Sequence, residues 1–373
     1  MNQDQSKLSM YVICCHVDKM LQDEIPNSKF DVLIQAGAAL TDKRICELND
    51  MIGLEDNISD RNQRYSEMTA MYWIGNNIQS DYIGITHYRR RFLLSDEELE
   101  HYMEEGFDIL ATVFGPSEGA VDDNYCHAYY GYDWKLYMDI LAEFAPEDKE
   151  FALELYSRPY IHPCNMGIFS AEMYKEYCEW AFPMLDAFYK RSAVKTDTYQ
   201  RRDVGFIGER MTSLFIEKKK RQGAVVHEVP HKEFRSNNWT PEQECDLSDY
   251  DEVYQRCALY FDKNDITKCR RLVAGALNHG GQKDARIQKL TILFKVALEE
   301  QKVLPKTLFD YLPLQWRSNL ETVLATIDGF STIVTLMYVN RTPEVVTMFD
   351  EFITRTGFSD VAIDTICKIK GYE

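Results

Sequence analysis

Short apolar runs alternate with amphipathic segments through residues 10–232 of the chain. The apolar runs are rich in β-branched and aromatic residues and predict buried strands, each followed by polar or glycine-containing residues. Between them, apolar residues recur at three- and four-residue spacing, which predicts helices. Strands that alternate with helices indicate an α/β sheet domain. The predicted strands are residues 10–15, 30–35, 82–86, 107–113, 159–170 and 225–229; the predicted helices are residues 66–77, 96–106, 134–144, 147–156, 171–189 and 201–220.

The pattern changes near residue 237, where an acidic, turn-rich stretch at 241–249 predicts a linker. Beyond it, helical spacing alone is present. We therefore divide the chain into an α/β domain at 1–236 and an all-α helical-hairpin domain at 237–373. The hairpin array loosely resembles tetratricopeptide repeats without a clean period, and its expected role is packing, dimer formation or partner binding. Its predicted helices are residues 250–261, 266–277, 284–301, 316–327, 343–356 and 359–370.

Composition and charge narrow the classes of protein that fit. The formal net charge of −18 argues against non-specific binding to nucleic acid and against a polybasic membrane anchor. Ten scattered cysteines without a CxxC pair indicate free thiols in a reducing compartment. The first residues lack the features of a signal peptide, and no apolar run approaches the ~20 residues that span a bilayer. We therefore expect a cytoplasmic protein.

The stretch DYIGITHYRRRF, residues 81–92, carries the strongest local signal. A predicted buried strand leads directly into His87, Tyr88 and three arginines, Arg89 to Arg91. Ligands of open α/β sheets bind beyond the carboxyl ends of strands, and guanidinium groups suit phosphate or carboxylate. The stretch thus indicates an anion site, best suited to a diphosphate. A solvated basic turn is the alternative explanation.

The stretch RRDVGFIGER, residues 201–210, contains two carboxylates that helical spacing places far apart in angle. Asp203 and Glu209 are therefore not expected to act as one dyad. One of them is a candidate general base and the other a structural residue. For Glu209 and its neighbour Arg210, an ordinary helical salt bridge is the competing explanation.

Several blocks in one register resemble a known family. The run NQRYSEMTAMYW, residues 62–73, precedes DYIGITHYRRRF at a short distance, as in the bacterial capsular and exopolysaccharide glycosyltransferases with an N-Y-S-E-x-T-A-x-Y-W…H-Y-R-R signature. That family was formerly a domain of unknown function. The blocks IQAGAAL, DNIS, HPCNMGIFS, YCEWAFPML and RRDVGFIGER are also similar, so the resemblance covers roughly residues 10–232. Gly75 and Asn76 depart from the usual aromatic residue and lysine.

The resemblance implies a GT-A-like (Rossmann-like) mixed sheet flanked by helices, which uses a nucleotide-sugar donor. In such folds, an Asp-x-Asp motif that holds a divalent metal against the diphosphate normally stands where this chain has His87 to Arg90. Because the leaving diphosphate must be neutralised, we expect Arg89 and Arg90 to replace the metal. The expected reaction is metal-independent and inverting and needs no cofactor. Magnesium or manganese held by Asp108 or Asp203 is the alternative.

The resemblance also implies roles for individual residues. Glu209 is the first choice as base and Asp203 the second, and His87 either orients the arginines or contacts the donor sugar. Residues expected to line or support the donor pocket are His16, Gln35, Gly37, Asn57, Ser59, Tyr65, Glu67, Thr69, Tyr88, Arg89 and Arg90. Residues expected to face the acceptor or the sugar are His127, Asp133, His162 and Asn165.

The expected partners are a nucleotide-sugar donor, with UDP-hexoses including galactofuranose as examples, and a saccharide or lipid-linked acceptor with peripheral membrane association. Nucleic acid is not expected. A nucleotidyltransferase is one alternative, although such enzymes use carboxylate-held magnesium. The other is a non-catalytic nucleotide-sugar-binding or adaptor protein whose helical domain binds a partner.

Overall fold

The structure is a computed structural model, and it describes residues 7–21, 23–117, 119–234, 245–312, 314–317 and 319–372. The side chains of residues 127, 314 and 315 lie outside the description. The chain divides into two compact units. The first comprises Met1–Asn124, Leu136–Arg191 and Arg202–Thr240, and the second comprises Tyr125–Lys135, Ser192–Arg201 and Pro241–Glu373. The predicted boundary after residue 236 falls outside the described residues and stays a prediction.

A six-stranded mixed sheet forms the centre of the first unit, with the strand order β2-β1-β3-β8-β5-β9. β1, β2 and β3 are parallel, β8 is antiparallel to both of its neighbours, and β5 and β9 are parallel. Two short antiparallel pairs, β4 with β10 and β6 with β7, lie outside it. The strands are β1 (Leu8–Cys15), β2 (Asp31–Ala36), β3 (Tyr82–His87), β4 (Arg90–Phe92), β5 (Ile109–Thr112), β6 (Gly115–Pro116), β7 (Tyr160–Ile161), β8 (Gly167–Ser170), β9 (Val226–Val229) and β10 (His231–Glu233).

Helices cover both faces of this sheet because each strand points apolar residues to both sides. α2, α7 and α8 pack together on one face. On the other face, Leu99 and Met103 of α3 join an apolar cluster with Leu8, Met10 and Ile168 of the strands. The helices before residue 222 are α1 (Asn62–Tyr65), α2 (Met68–Asn76), α3 (Asp96–Glu105), α4 (Val121–Ala128), α5 (Gly131–Phe144), α6 (Lys149–Tyr156), α7 (Ala171–Arg191) and α8 (Asp203–Arg221).

The second unit is helical beyond residue 245, and buried aliphatic and aromatic residues of its helices form one continuous core. Capping side chains define several helix starts; for example, Asp284 accepts hydrogen bonds from the backbone N–H groups of Arg286 and Ile287. The helices are α9 (Tyr250–Asp262), α10 (Ile266–Asn278), α11 (Ala285–Gln301), α12 (Leu308–Tyr311), α13 (Leu314–Arg317), α14 (Leu320–Val339), α15 (Pro343–Thr356) and α16 (Asp360–Lys370).

The predicted fold class, a mixed sheet flanked by helices and followed by a helical region, is confirmed. Two local predictions are wrong. Residues 115–123 are rich in glycine and acidic residues, which predicts a loop, but they contain β6 and the start of α4; the helix predicted at 316–327 begins at Leu320 and runs to Val339. In the second case Asn319 caps the helix by accepting from the Thr322 N–H, which fixes a start that apolar spacing alone does not show.

α14 also corrects the expectation about membrane-spanning length. Its 20 residues, with a mean hydropathy of 1.5, are long and apolar enough to cross a membrane by length and composition alone. However, Leu324, Ile327 and Phe330 belong to the buried core of the second unit. Core helices also pass this test, and 39% of the apolar window of α14 is buried.

Candidate functional site

The topology brings several polar segments to one edge of the sheet. β1, β2 and β3 run parallel, so the residues that follow Cys15, Ala36 and His87 lie at the same edge. β8 runs in the opposite direction, with Gly167 opposite Ile85, so the residues that precede β8 also lie there. This is the edge at which ligands of open α/β sheets bind.

Arg89 and Arg90 share one carboxylate at this edge. The Arg89 guanidinium lies 3.3 Å from one oxygen of Glu233, and the Arg90 guanidinium lies 3.1 Å from the other. Glu233 reaches them because β10 pairs with β4 in a register that places Glu233 opposite Arg90. The third arginine differs, since Arg91 donates to the backbone carbonyls of His87 and Arg90. The expected anion site therefore contains two arginines, and Arg91 holds the turn that presents them.

His87 is buried beside this pair, and its Nδ1 lies 2.9 Å from a guanidinium nitrogen of Arg90. Because a guanidinium only donates, Nδ1 must accept and the imidazole must be neutral there. Burial lowers the pKa of His87 to about 4; the charges of Arg90, Arg202 and Arg89 act in the same direction, and Glu67 opposes them. The contact favours the first of the two predicted roles of His87, because the histidine and Arg90 fix each other's position.

Glu67 and Asn165 connect this cluster to α8. The Asn165 side-chain amide donates to Glu67 at 2.7 Å, and its carbonyl oxygen accepts from the Thr212 hydroxyl at 3.0 Å. Arg202 donates to the Ser66 hydroxyl at 2.8 Å and lies 3.9 Å from Glu67. Asn165 thus supports the site from beneath, and Arg202 is a third arginine close to it that the sequence did not single out.

Asp18, which follows β1, is a second residue that the sequence reasoning missed as a site member. Burial raises the pKa of its carboxyl to about 6, although the Cys15 backbone N–H, Arg89 and Arg202 favour the charged form. The Cys15 N–H donates to one of its oxygens at 2.5 Å. Its position directly beyond a parallel strand was the sequence signal that could have identified it as a candidate site residue. Asp18 gives the edge a carboxylate that ionises close to neutral pH.

The two candidate bases on α8 have different surroundings. Asp203 is 1% exposed, and both of its oxygens accept from the Arg64 guanidinium, at 2.5 and 2.9 Å. Through this contact Asp203 anchors α1 to α8, and its role as the second choice of base stays a prediction. Glu209 remains partly exposed, with one oxygen 2.6 Å from the Cys164 N–H and the other 2.5 Å from Arg210.

The Cys164 contact depends on an unusual backbone. Cys164 and the following Asn165 both have positive φ angles, 80° and 45°. Two successive non-glycine residues in the left-handed region are uncommon and are retained where surrounding contacts require them. Here the turn directs the Cys164 N–H to Glu209 and the Asn165 side chain to Glu67.

The loop after β2 is held internally. Gly37 is left-handed, with a φ of 67°, and the Asn62 side chain occupies the space that a Cβ would need. Asp50 accepts from the backbone N–H groups of Gly37 and Ala38 and from the Ser59 hydroxyl. These contacts fix the loop and engage two backbone N–H groups and one hydroxyl within the protein.

Several predicted donor-pocket residues serve as this loop's framework. Gln35 and Ser59 are fully buried, and the Gln35 amide bonds only to the backbone of Lys43 and Ile45. In this structure both side chains therefore support the loop, and their place in the lining of a donor pocket stays a prediction. Asn57 similarly donates to the Leu54 carbonyl and accepts from the Ser59 N–H.

The remaining predicted donor residues are dispersed. His16 lies at the end of β1, with Nδ1 3.6 Å from the Cys15 thiol, and Tyr88 follows β3. Thr69 is buried and accepts from the Asn62 amide at 3.0 Å. Tyr65 lines a different cleft of about 570 Å³ between α2 and α7, together with Arg61 and Asp186. The structure therefore does not place Tyr65 with the arginine pair.

The predicted acceptor residues also separate. Asn165 belongs to the arginine edge, whereas Asp133 lies in the second unit, where the Lys195 ammonium donates to its buried carboxylate at 2.6 Å. His162 is buried between the Thr112 carbonyl and Glu217. The side chain of His127 lies outside the described residues. Asp133 is buried in this internal ion pair, and its role towards the acceptor stays a prediction.

Comparison with known proteins agrees with this architecture. Residues 10–220 match the family model described as "Domain of unknown function (DUF4422)". None of the curated proteins matches the chain. Among solved structures, the apo structure of the bifunctional glycosyltransferase WbbM is similar, with a TM-score of 0.51 and 22% sequence identity over 68% of this chain. The match covers 52% of the WbbM chain, so this chain spans about half of that protein.

At this level of identity, the similarity to WbbM establishes the fold alone. The first unit is a GT-A-like α/β domain in which Arg89 and Arg90 lie beyond the carboxyl end of β3. The family match covers more than half of the chain, and the protein belongs to the DUF4422 family.

Proposed function

We propose that this protein is a glycosyltransferase that moves a sugar from a UDP-sugar to a saccharide or lipid-linked acceptor. The observation that carries the proposal is the pair of Arg89 and Arg90 beyond the end of β3. Both guanidinium groups contact the Glu233 carboxylate. A carboxylate and a phosphate both accept bidentate hydrogen bonds from a guanidinium group, so the pair is suited to binding an anionic group. In a GT-A-like sheet, that group is the donor diphosphate.

The chemical step follows from this placement. An acceptor hydroxyl oxygen bonds to the anomeric carbon, the carbon–oxygen bond to the diphosphate breaks, and the leaving group takes the bonding electron pair. Arg89 and Arg90 neutralise the charge that develops on it. The hydroxyl proton passes to Glu209, the partly exposed carboxylate on α8. Attack from the face opposite the diphosphate inverts the anomeric centre.

The carboxylates named as alternative metal ligands have other partners, which supports the metal-independent form of the proposal. Asp203 is bonded by Arg64, and an oxygen of Asp108 accepts from the Val225 N–H at 2.8 Å. The expected place of action is the cytoplasm. Ten free cysteines are in keeping with a reducing compartment, and the helical unit supplies a surface for a partner or a second copy.

The first experiment measures binding. Thermal unfolding of the full chain is followed with UDP, other nucleoside diphosphates and UDP-hexoses, each with and without EDTA. We expect UDP at 100 times its dissociation constant to add about 2.7 kcal/mol of stability in either condition. Stabilisation that vanishes in EDTA and returns with manganese would contradict the metal-independent site.

The second experiment measures turnover with the best-binding UDP-sugar. Glu209→Gln removes the base but keeps the size of the side chain, so we expect turnover to fall by roughly 10²- to 10⁴-fold while UDP binding is retained. Glu179→Gln, an exposed residue of α7, is the matched control. Near-normal turnover in Glu209→Gln would remove Glu209 from the mechanism.

One observation favours a second candidate, a non-catalytic nucleotide-sugar-binding or adaptor protein. Both Glu209 oxygens already have partners, Cys164 and Arg210. A chain that binds UDP but shows no transfer or hydrolysis with any donor in the panel would support this reading.

A further inference from the structure

A separate cluster of three ligand-type side chains lies at the ends of β7 and β9. His162 follows β7, Glu217 lies on α8, and Glu228 lies on β9. One nitrogen or oxygen atom from each lies within 4.8 Å of the other two. His162 is 1% exposed, and the carboxylates are partly exposed, so the cluster has a buried side and an open side.

The contacts of His162 orient its ring towards the carboxylates. Its Nδ1 lies 2.6 Å from the carbonyl oxygen of Thr112, which only accepts, so Nδ1 carries a hydrogen. Nε2 then faces a carboxylate oxygen of Glu217 at 3.0 Å. Either a shared proton or a metal ion held between these two atoms accounts for the contact.

The Thr112 carbonyl accepts a hydrogen bond from His162 in the same way as the outer-shell groups of metal-binding histidines. Such histidines donate their other ring N–H to a carbonyl or carboxylate, which fixes the ring and the tautomer. His162 has this arrangement in advance, with Nε2 turned towards the carboxylates. Its backbone N–H is fixed as well, because it donates to the Ser213 hydroxyl at 3.1 Å.

Lys220 supplies part of the positive charge. Its ammonium lies 2.7 Å from an oxygen of Glu228 and 3.6 Å from Glu217. The Phe114 backbone N–H donates to the other Glu228 oxygen at 3.1 Å. One ammonium faces two carboxylates, so Lys220 alone does not balance their negative charge. The lysine is 44% exposed and can turn into solvent when another cation enters.

We propose that His162, Glu217 and Glu228 bind a zinc ion that ties the β7 end, α8 and β9 together. One imidazole and two carboxylates are a donor set that zinc accepts, with a fourth position left for water. The site does not depend on the proposed sugar transfer. Its ligands come from other elements than Arg89 and Arg90.

The test uses the full-length chain, freed of metal by a chelator and then dialysed. Calorimetric titration with zinc chloride should show one tight site per chain, and Glu217→Gln should weaken it at least ~100-fold, since the loss of a ligand exceeds the usual cost of losing an outer-shell partner. Glu179→Gln should bind as the parent does. The ten cysteines also attract zinc, so the readout is the difference between the parent and Glu217→Gln.

Two further measurements keep the outcome decisive. Cobalt in place of zinc should give visible bands of a nitrogen- and oxygen-bound ion without sulfur charge transfer, and Lys220→Ala should tighten binding. If neither the parent nor Lys220→Ala shows a site that Glu217→Gln loses, a proton bridges His162 and Glu217 and the proposal is overturned. UDP binding by metal-free Glu217→Gln, measured in EDTA, tests the proposed function separately.

Discussion

Two charged clusters of the first unit have opposite compositions. At the end of β3, Arg89 and Arg90 face the single carboxylate of Glu233. Around His162, two carboxylates face the single ammonium of Lys220. In these direct contacts, each cluster has one counter-ion for two charges of the other sign, and Glu67 and Glu209 also act on Arg90. An anion that binds at the first cluster has to displace only the exposed side chain of Glu233. A cation that binds at the second has to displace only the exposed side chain of Lys220.

The largest expected effect comes from removing the guanidinium groups of Arg89 and Arg90. Charge-assisted hydrogen bonds contribute about 1.5–3 kcal/mol each, so Arg89→Ala with Arg90→Ala should weaken UDP binding by roughly 10²- to 10⁴-fold. Calorimetry measures this loss. Zinc binding should stay unchanged in the same variant, because the two clusters share no ligand.

Arg44→Ala is the control for this prediction, because Arg44 is exposed and donates only to nearby backbone carbonyls of its loop. Equal UDP affinity in the double variant and the parent would show that the pair at β3 is a structural salt bridge to Glu233.

A smaller effect concerns pH within the arginine cluster. The raised pKa of Asp18, about 6, means that the native state holds a proton that the unfolded state releases, so stability falls as pH rises from about 4 to 6. The lowered pKa of His87, about 4, has the opposite sign, because the unfolded state binds the extra proton and stability rises from about pH 4 to 6.5. The two slopes largely cancel in the parent.

Asp18→Asn separates them, and Glu67, Arg89, Arg90 and Arg202 remain as the charged neighbours. At pH 7 the variant should be more stable than the parent by roughly 2–3 kcal/mol, and near pH 4 the difference should disappear. Urea unfolding at four pH values measures it. Asp60→Asn, at an exposed position, provides the reference. A constant difference across pH would mean that Asp18 is already charged at pH 4.

The smallest effect comes from removing a counter-ion. Glu233 is about half exposed, and pairs of this kind contribute at most about 1 kcal/mol. Glu233→Gln should therefore strengthen UDP binding about two- to fivefold, in parallel with the tighter zinc binding of Lys220→Ala. Weaker UDP binding in Glu233→Gln would instead show that the carboxylate orients the arginines for the ligand.

Sequence patterns predicted this fold well where they reflect burial. The strand at 82–86 and the arginines after it were readable, because a buried β-branched run and a charge cluster are both local signals. Glu233 was not, since its pairing with Arg90 depends on a strand 143 residues later in the chain. Arg202 and Asp18 were also missed, because their proximity to Glu67 and Arg89 arises only when α8 and β1 meet at the edge.

The predicted roles of several buried residues stay predictions, for a different reason. Gln35, Ser59 and Asp203 occupy the expected blocks, but each is buried with an internal partner. A sequence motif identifies a residue that belongs to the family pattern. It does not show whether the side chain contacts a ligand or supports another residue that contacts it. Side-chain burial depends on packing between distant segments, which the sequence blocks do not encode individually.

The left-handed turn at Cys164 and Asn165 has a consequence for the range of sequences that this site accepts. Both residues have φ angles that β-branched side chains rarely adopt, and each aims a donor at a different carboxylate. We therefore expect these two positions to accept only glycine, asparagine and similarly compact residues. A valine would straighten the turn and detach Glu209 and Glu67 from their donors in a single step.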